Sequence, residues 1–162
     1  MEVMVLIGQT ACVWFLTLWL TTGVRDNILH PSMNEMITAE VMDMTRMRRD
    51  YPEAYALVAH RRIESRRMQL FAFRCAVGWE FLASVVLWIG AVALTLALFG
   101  VVSVETGKVF GMAGALMFTV TWALFLIVGN HMNYWFCHEG AQNTHFQMTL
   151  WGIVTMIFLA AA

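Results

Sequence analysis

The stretch GNHMNYWFCHEGAQNTHF, residues 129–146, decides how this chain is read. It lies between two runs apolar enough to cross a bilayer. Yet it carries His131, His138 and His145, three of the five histidines, together with Cys137 and Glu139. No other segment is so dense in groups that bind, ligate or titrate. A polar turn between two apolar runs makes the chain double back. The rest of the sequence then reads as a frame that brings more polar residues to the same end of a helix bundle.

Composition supports that frame. The 162 residues are 60% hydrophobic and only 13% charged, against about 45–50% apolar and roughly 25% charged in soluble chains. The excess is gathered into long runs, the signature of a membrane protein. A helix of about 20 residues rising ~1.5 Å per residue covers the ~30 Å of hydrocarbon. Four runs predict spans at about 3–24, 71–99, 109–131 and 144–162, in a single all-α transmembrane domain covering residues 1–162. The lipid bilayer is the first partner implied. A net charge of −1 supplies no field for nucleic acid. Three cysteines, two of them in or beside apolar helices, predict no disulfide framework. Glu2 precedes the first run with no Lys or Arg, so the basic start of a cleaved signal peptide is missing and the run is expected to be retained.

The long connection, residues 31–68, is expected to be helical and extramembrane. Ser32 and Glu35 have capping-box spacing. Met33, Met36, Ile37, Val41, Met44 and Met47 then recur as one apolar stripe. Asp50-Tyr-Pro-Glu53 predicts a second short helix, with proline in its first turn, running to about Val58. An amphipathic segment of this kind is expected on the membrane surface or against the end of the bundle.

Four spans alternate in direction. Both termini then share one side, and Arg25, Asp26, Arg74, Glu80, His131, Trp135, His138, Glu139, Gln142 and His145 gather on the other. The opposite side offers little beyond Glu105 and Lys108. Seven arginines in the long connection against one lysine across the membrane place the polar side in the cytoplasm by the positive-inside rule.

His131, His138 and His145 are candidate metal ligands, with Glu80 and Cys137. Spaced by seven, the histidines would lie about 10 Å apart along one helix, so a shared metal requires a bend near Gly140. Imidazole with thiolate or carboxylate suits zinc, copper or iron, and a haem needs only one or two of the histidines. The alternative is that these side chains bond loop carbonyls at the interface. The methionine stripe, suited to Cu(I) in principle, is explained by packing or partner contact. Glu80 inside a span costs ~2.5–3.5 kcal/mol on insertion scales unless paired. It is read either as a proton-transfer group or ligand, or as a buried hydrogen bond, with Arg25, His131 or His138 within reach across helices.

Arg62-Ile-x-Ser65, Trp79-Glu80, Trp135-Phe136 with Gly140-x-Gln142, and Phe146 together resemble the bacterial predicted small integral membrane proteins known as domain of unknown function 2165. Asp26 after the first span fits the same pattern. The resemblance implies a four-helix inner-membrane protein without an established activity. Two positions depart from it: His131 stands where the family usually places a glutamate, and Gln147 where an arginine is usual. The family's basic residues lie mostly at the N-terminus and between the second and third spans, which implies a periplasmic polar side, opposite to the arginine count. Asp26, Arg62, Trp135, Glu139 and Gln142 are expected to serve structure or interaction.

The expected function is that of a small accessory subunit of a larger bacterial membrane complex, respiratory or oxidoreductase in type, contacting other membrane subunits and not catalytic on its own. The alternatives are a metal- or haem-binding redox or transfer protein, and, last, a proton-coupled transporter.

Overall fold

Backbone N–H and C=O groups find no water in hydrocarbon, so a spanning segment must satisfy them within a helix. The computed structural model, which describes residues 1–161, is built accordingly on four long helices. They are α1 (Glu2–Leu29), α5 (Arg66–Leu98), α6 (Val104–His131) and α7 (Glu139–Ala160). Three short helices, α2 (Pro31–Met42), α3 (Thr45–Asp50) and α4 (Pro52–Val58), and a 3₁₀ turn at Ala59–Arg61 fill the long connection. The 33 residues of α5 measure ~50 Å at ~1.5 Å each, so this helix projects beyond the hydrocarbon.

The expectation of four spans is corrected. Among the described residues three helices, α1, α5 and α6, are long and apolar enough to cross a membrane. The fourth helix, α7, does not qualify, because its first turns carry Gln142, Asn143, Thr144, His145 and Gln147. The end of the predicted fourth span, Ala162, lies outside the described residues. Even so, α7 runs back along the bundle. Gln9 Nε2 on α1 donates to the carbonyls of Phe158 (2.8 Å) and Ala161 (3.2 Å), and Lys108 Nζ on α6 donates to Ala161 O (2.8 Å). The far end of α7 thus meets the beginnings of α1 and α6.

Lipid is as apolar as leucine, so burial of hydrocarbon does not hold such helices together; close packing and interhelical hydrogen bonds do. Among the buried positions, Gln9, Val13, Leu16, Leu20 and Val24 form one row on α1, flanked by Thr10 and Thr17, and Glu80, Ala83, Leu87, Ala91 and Leu94 form one on α5, flanked by Ser84 and Gly90. Both step by three and four residues, the seam of left-handed helix pairs. Trp14 Nε1 donates to Thr95 Oγ1 (3.0 Å), Trp88 Nε1 to Thr21 Oγ1 (3.0 Å), and Thr21 and Ser84 hydroxyls meet at 3.0 Å, all between α1 and α5. The α5–α6 contact relies on absent side chains. A Cβ on Gly90 would sit 2.8 Å from the Gly111 backbone, and one on Gly114 would sit 2.9 Å from Leu87 Cα.

The connection departs from expectation in two places. Proline takes the first position of α2, with His30 as its N-cap and no side-chain cap. Ser32 therefore lies inside the first turn, and Glu35 pairs with Arg66 instead of closing a capping box. The methionine stripe is also divided. Met44 adopts a left-handed conformation (φ 54°) between α2 and α3. Met33, Met36 and Ile37 stay exposed, whereas Met44 and Met47 are buried. Proline opens α4 as the sequence predicts, and that helix ends at Val58.

Candidate functional site at the polar rim

The turn after α6 begins with Asn133, whose left-handed backbone (φ 51°) suits asparagine. A 3₁₀ turn, Tyr134–Phe136, follows, and His138 is the N-cap residue of α7. Gly129 makes room for the turn: a Cβ there would fall 2.7 Å from the Tyr134 ring. Tyr134, 4% exposed, stacks beside His145 with ring centroids 6.1 Å apart and planes 19° apart. Phe125 and Trp122 close on the same imidazole at 5.2 and 5.5 Å. Within this aromatic box Tyr134 OH, His145 Nδ1 and Trp122 Nε1 are buried without a hydrogen-bond partner among the described residues. Burial pushes the Tyr134 hydroxyl above its ordinary range.

His138 faces the connection. Its Nε2 lies 3.9 Å from Glu40 Oε1, with the imidazole nearly covered. Burial, then the nearby Arg46, hold His138 below the usual histidine range, partly offset by Glu40. Burial raises the Cys137 thiol, and Asp50 adds to that, against Arg46 and Arg49. Arg62 is the hub of the connection. Its Nη1 donates to Tyr55 OH (2.8 Å), its Nε lies 3.6 Å from Asp43, and it also pairs with Glu64. Arg61 Nη1 reaches the His131 carbonyl at 3.3 Å, tying the connection to the end of α6.

Glu80 is 5% exposed and accepts from Asn27 Nδ2 at 2.8 Å. Asn27 Oδ1 in turn accepts from Asn34 Nδ2 at 2.6 Å. This chain of side chains links α5, α1 and α2. The expected partners, Arg25, His131 and His138, are engaged elsewhere or exposed: Arg25 lies 3.6 Å from Asp26. Sequence reading missed Asn27. The available signal was a carboxamide at the last turn of a spanning helix, on the same side as a buried acid.

The expected metal cluster does not assemble. Among the described residues no three His, Cys, Asp or Glu side chains converge to hold a metal ion. His131 is exposed at the end of α6, His138 meets Glu40, His145 sits in the aromatic box, Glu80 bonds Asn27, and Cys137 is half-buried. The break after α6 leaves His131 at the end of that helix, with His138 as the N-cap residue of α7 and His145 further along α7. What the rim does form is an open cleft of about 490 Å³ lined by Asn130, Trp135, Glu139, Gln142 and Asn143. Three of these five were expected to serve structure or interaction; Asn130 and Asn143 were not singled out, because isolated carboxamides carry no spacing signal.

The family model for predicted small integral membrane proteins, domain of unknown function 2165, matches residues 5–162. The chain belongs to this family. No curated protein and no solved structure matches it. In this small integral membrane protein the resembling residues have structural partners. Trp79 Nε1 donates to Thr121 Oγ1 at 3.1 Å, joining α5 to α6 beside Glu80. Ser65 precedes α5 as its N-cap residue. Trp135 stacks on Phe136 (centroids 4.2 Å apart), which meets Tyr51 of the connection at 5.2 Å. Asp26 pairs with its neighbour Arg25, and Phe146 and Gln147 are exposed.

Proposed function

We propose that this protein is a small accessory subunit of a larger complex in the bacterial inner membrane, with its polar rim toward the periplasm. One observation carries the reading: apolar side chains stand uncovered on the extramembrane connection. Met33, Met36 and Ile37 on α2 are 64%, 67% and 44% exposed, and Leu57 on α4 is 79% exposed. Exposed leucines on a spanning helix face lipid and need no partner. An apolar patch outside the spans is the mark of an interaction surface. The ion pair Glu35–Arg66 ties α2 to the start of α5 and Glu40–Arg46 ties it to α3, while Met33, Met36 and Ile37 stay outward. Methionine supports the same reading, since its unbranched thioether adapts to irregular surfaces. The family's charge pattern favours a periplasmic rim, against the arginines of the connection.

Purification from native membranes in mild detergent tests the proposal. The expected result is migration with heavier membrane subunits, abolished in Met36→Glu/Ile37→Glu but retained in Leu124→Ala on the lipid-facing surface of α6. A stable monomer from native membranes, or partners retained by the double variant, overturns it.

A further inference from the structure

We infer that the cleft at the start of α7 is a binding site for the primary ammonium of an ethanolamine phospholipid headgroup. The inference is independent of the accessory-subunit reading, because it concerns a different surface and a small ligand.

The lining selects the charge. Glu139 supplies a carboxylate, Asn130, Gln142 and Asn143 supply carboxamides, and no Lys or Arg lines the cleft. An anion would meet the Glu139 carboxylate, whose full charge the free N–H groups of the first turn of α7 offset only in part. A cation gains the Glu139 charge, and Trp135 adds to the attraction. Phe136 covers part of the indole at a centroid distance of 4.2 Å, while Trp135 remains 43% exposed, which leaves indole surface for a cation.

The carboxamides select the kind of cation. Their oxygens accept hydrogen bonds, so three of them with a carboxylate reward an ammonium bearing N–H groups. A quaternary ammonium has none to donate and gains only the charge and the indole. Arg61 supplies the complement for the phosphate: its guanidinium is anchored on the carbonyl of His131, the residue next to Asn130. A zwitterionic headgroup then has one pole in the cleft and the other at its edge. The site lies where the apolar helix α6 ends and α7 begins, and the end of a spanning helix faces the headgroup region of a bilayer. A volume of about 490 Å³ is in the range of small-molecule sites.

Native mass spectrometry of the protein released from nanodiscs of mixed ethanolamine, choline and glycerol phospholipids is the test. The expected result is selective retention of the ethanolamine lipid. Glu139→Gln should weaken that retention about tenfold or more, the change associated with losing a hydrogen bond to a charged group, and Glu139→Asp should restore part of it. Glu139 is exposed, so these variants should keep the wild-type melting temperature. Trp135→Ala should lower retention of ethanolamine and choline lipids alike. Equal retention of the three lipids, or unchanged retention in Glu139→Gln, overturns the site. Choline lipid bound as well as ethanolamine lipid overturns the assignment to a primary ammonium. Soluble phosphoethanolamine binding where the lipid does not overturns the lipid source.

Discussion

The Asn27–Glu80 pair shows what a single polar contact does inside a bundle of this kind. A buried carboxyl that loses its donor pays the desolvation of a polar group with no return, about 1–3 kcal/mol. Asn27→Leu is therefore expected to destabilise the fold by about that amount. Asn27→Leu/Glu80→Leu should recover most of the loss, because removing both partners leaves nothing unsatisfied. Unfolding in mixed micelles measures both; a double variant no more stable than Asn27→Leu would show that the contact is not what matters. Glu80 itself was legible as the informative acid of the spans, but its partner was not. Charge alone pointed to arginine or histidine, and only the folded helices bring a neutral carboxamide to 2.8 Å. His138 gives a second prediction at this scale. It titrates near 6.5 in the unfolded chain and lower in the fold. Above that value both states are neutral and the fold keeps its full stability. As pH falls through 6.5 the unfolded chain takes the proton first, so stability declines, and the loss is complete below the folded value. The difference in melting temperature between the wild type and His138→Gln should therefore shift in favour of the variant as pH falls from about 7.5 to about 5, a window that brackets the ordinary histidine value of ~6.5. A constant difference would contradict the assigned environment.

At the level of elements, glycine separates the helix pairs that touch from the faces that do not. A Cβ at Gly90 meets the backbone of Gly111 and the Phe110 carbonyl at 2.8 Å. Backbone has no rotamer by which to yield, so the helices must part. Gly90→Ala is expected to destabilise by about 1–3 kcal/mol, the cost of overpacking a close contact. Gly23 and Gly78 have nothing within 4 Å of the added carbon. Gly23→Ala and Gly78→Ala should instead be neutral or stabilise by about 0.5–1 kcal/mol through helix propensity. A thermal melt of the three variants in one detergent checks the contrast; equal effects would count against the α5–α6 packing. None of these roles is visible in the spacing of apolar residues. Helix existence was legible at this scale, and so was the proline start of α4. The start of α2 was not, because Pro31 and Ser32 compete for its first turn and the fixed φ of proline prevails.

For the whole molecule, the prediction concerns sidedness. The polar turn and the long connection meet through Arg61 and the His131 carbonyl and through Glu40 and His138. Glu105 follows the turn between α5 and α6 at the opposite end, beside Lys108. Single cysteines at Arg48 and Glu139 should therefore be labelled by an impermeant maleimide from one side of the membrane, and one at Glu105 from the other, in a background without the native cysteines. Labelling of Glu139→Cys and Glu105→Cys from the same side would refute this arrangement. The side on which Glu139→Cys reacts also decides between the arginine count, which favours the cytoplasm, and the family pattern, which favours the periplasm.

The sequence by itself determined that the chain is an all-helical membrane protein with its polar groups at one end. An apolar run of sufficient length can satisfy its backbone in hydrocarbon only as a helix, and the order of the runs sets where their ends lie. It did not determine which face of each helix turns inward. Lipid and core are both apolar, so hydrophobic periodicity carries no information about burial here. Only the tertiary structure revealed that Gln9, Thr17, Glu80 and Thr155 are covered while Phe15, Phe81 and Ile157 face outward. The same holds for the rim: the histidines are evenly spaced in the chain, yet a 3₁₀ turn and an N-cap residue direct them to different neighbours. Proximity in sequence sets what is available, but the packing of the turn against α6 and the connection decides what meets.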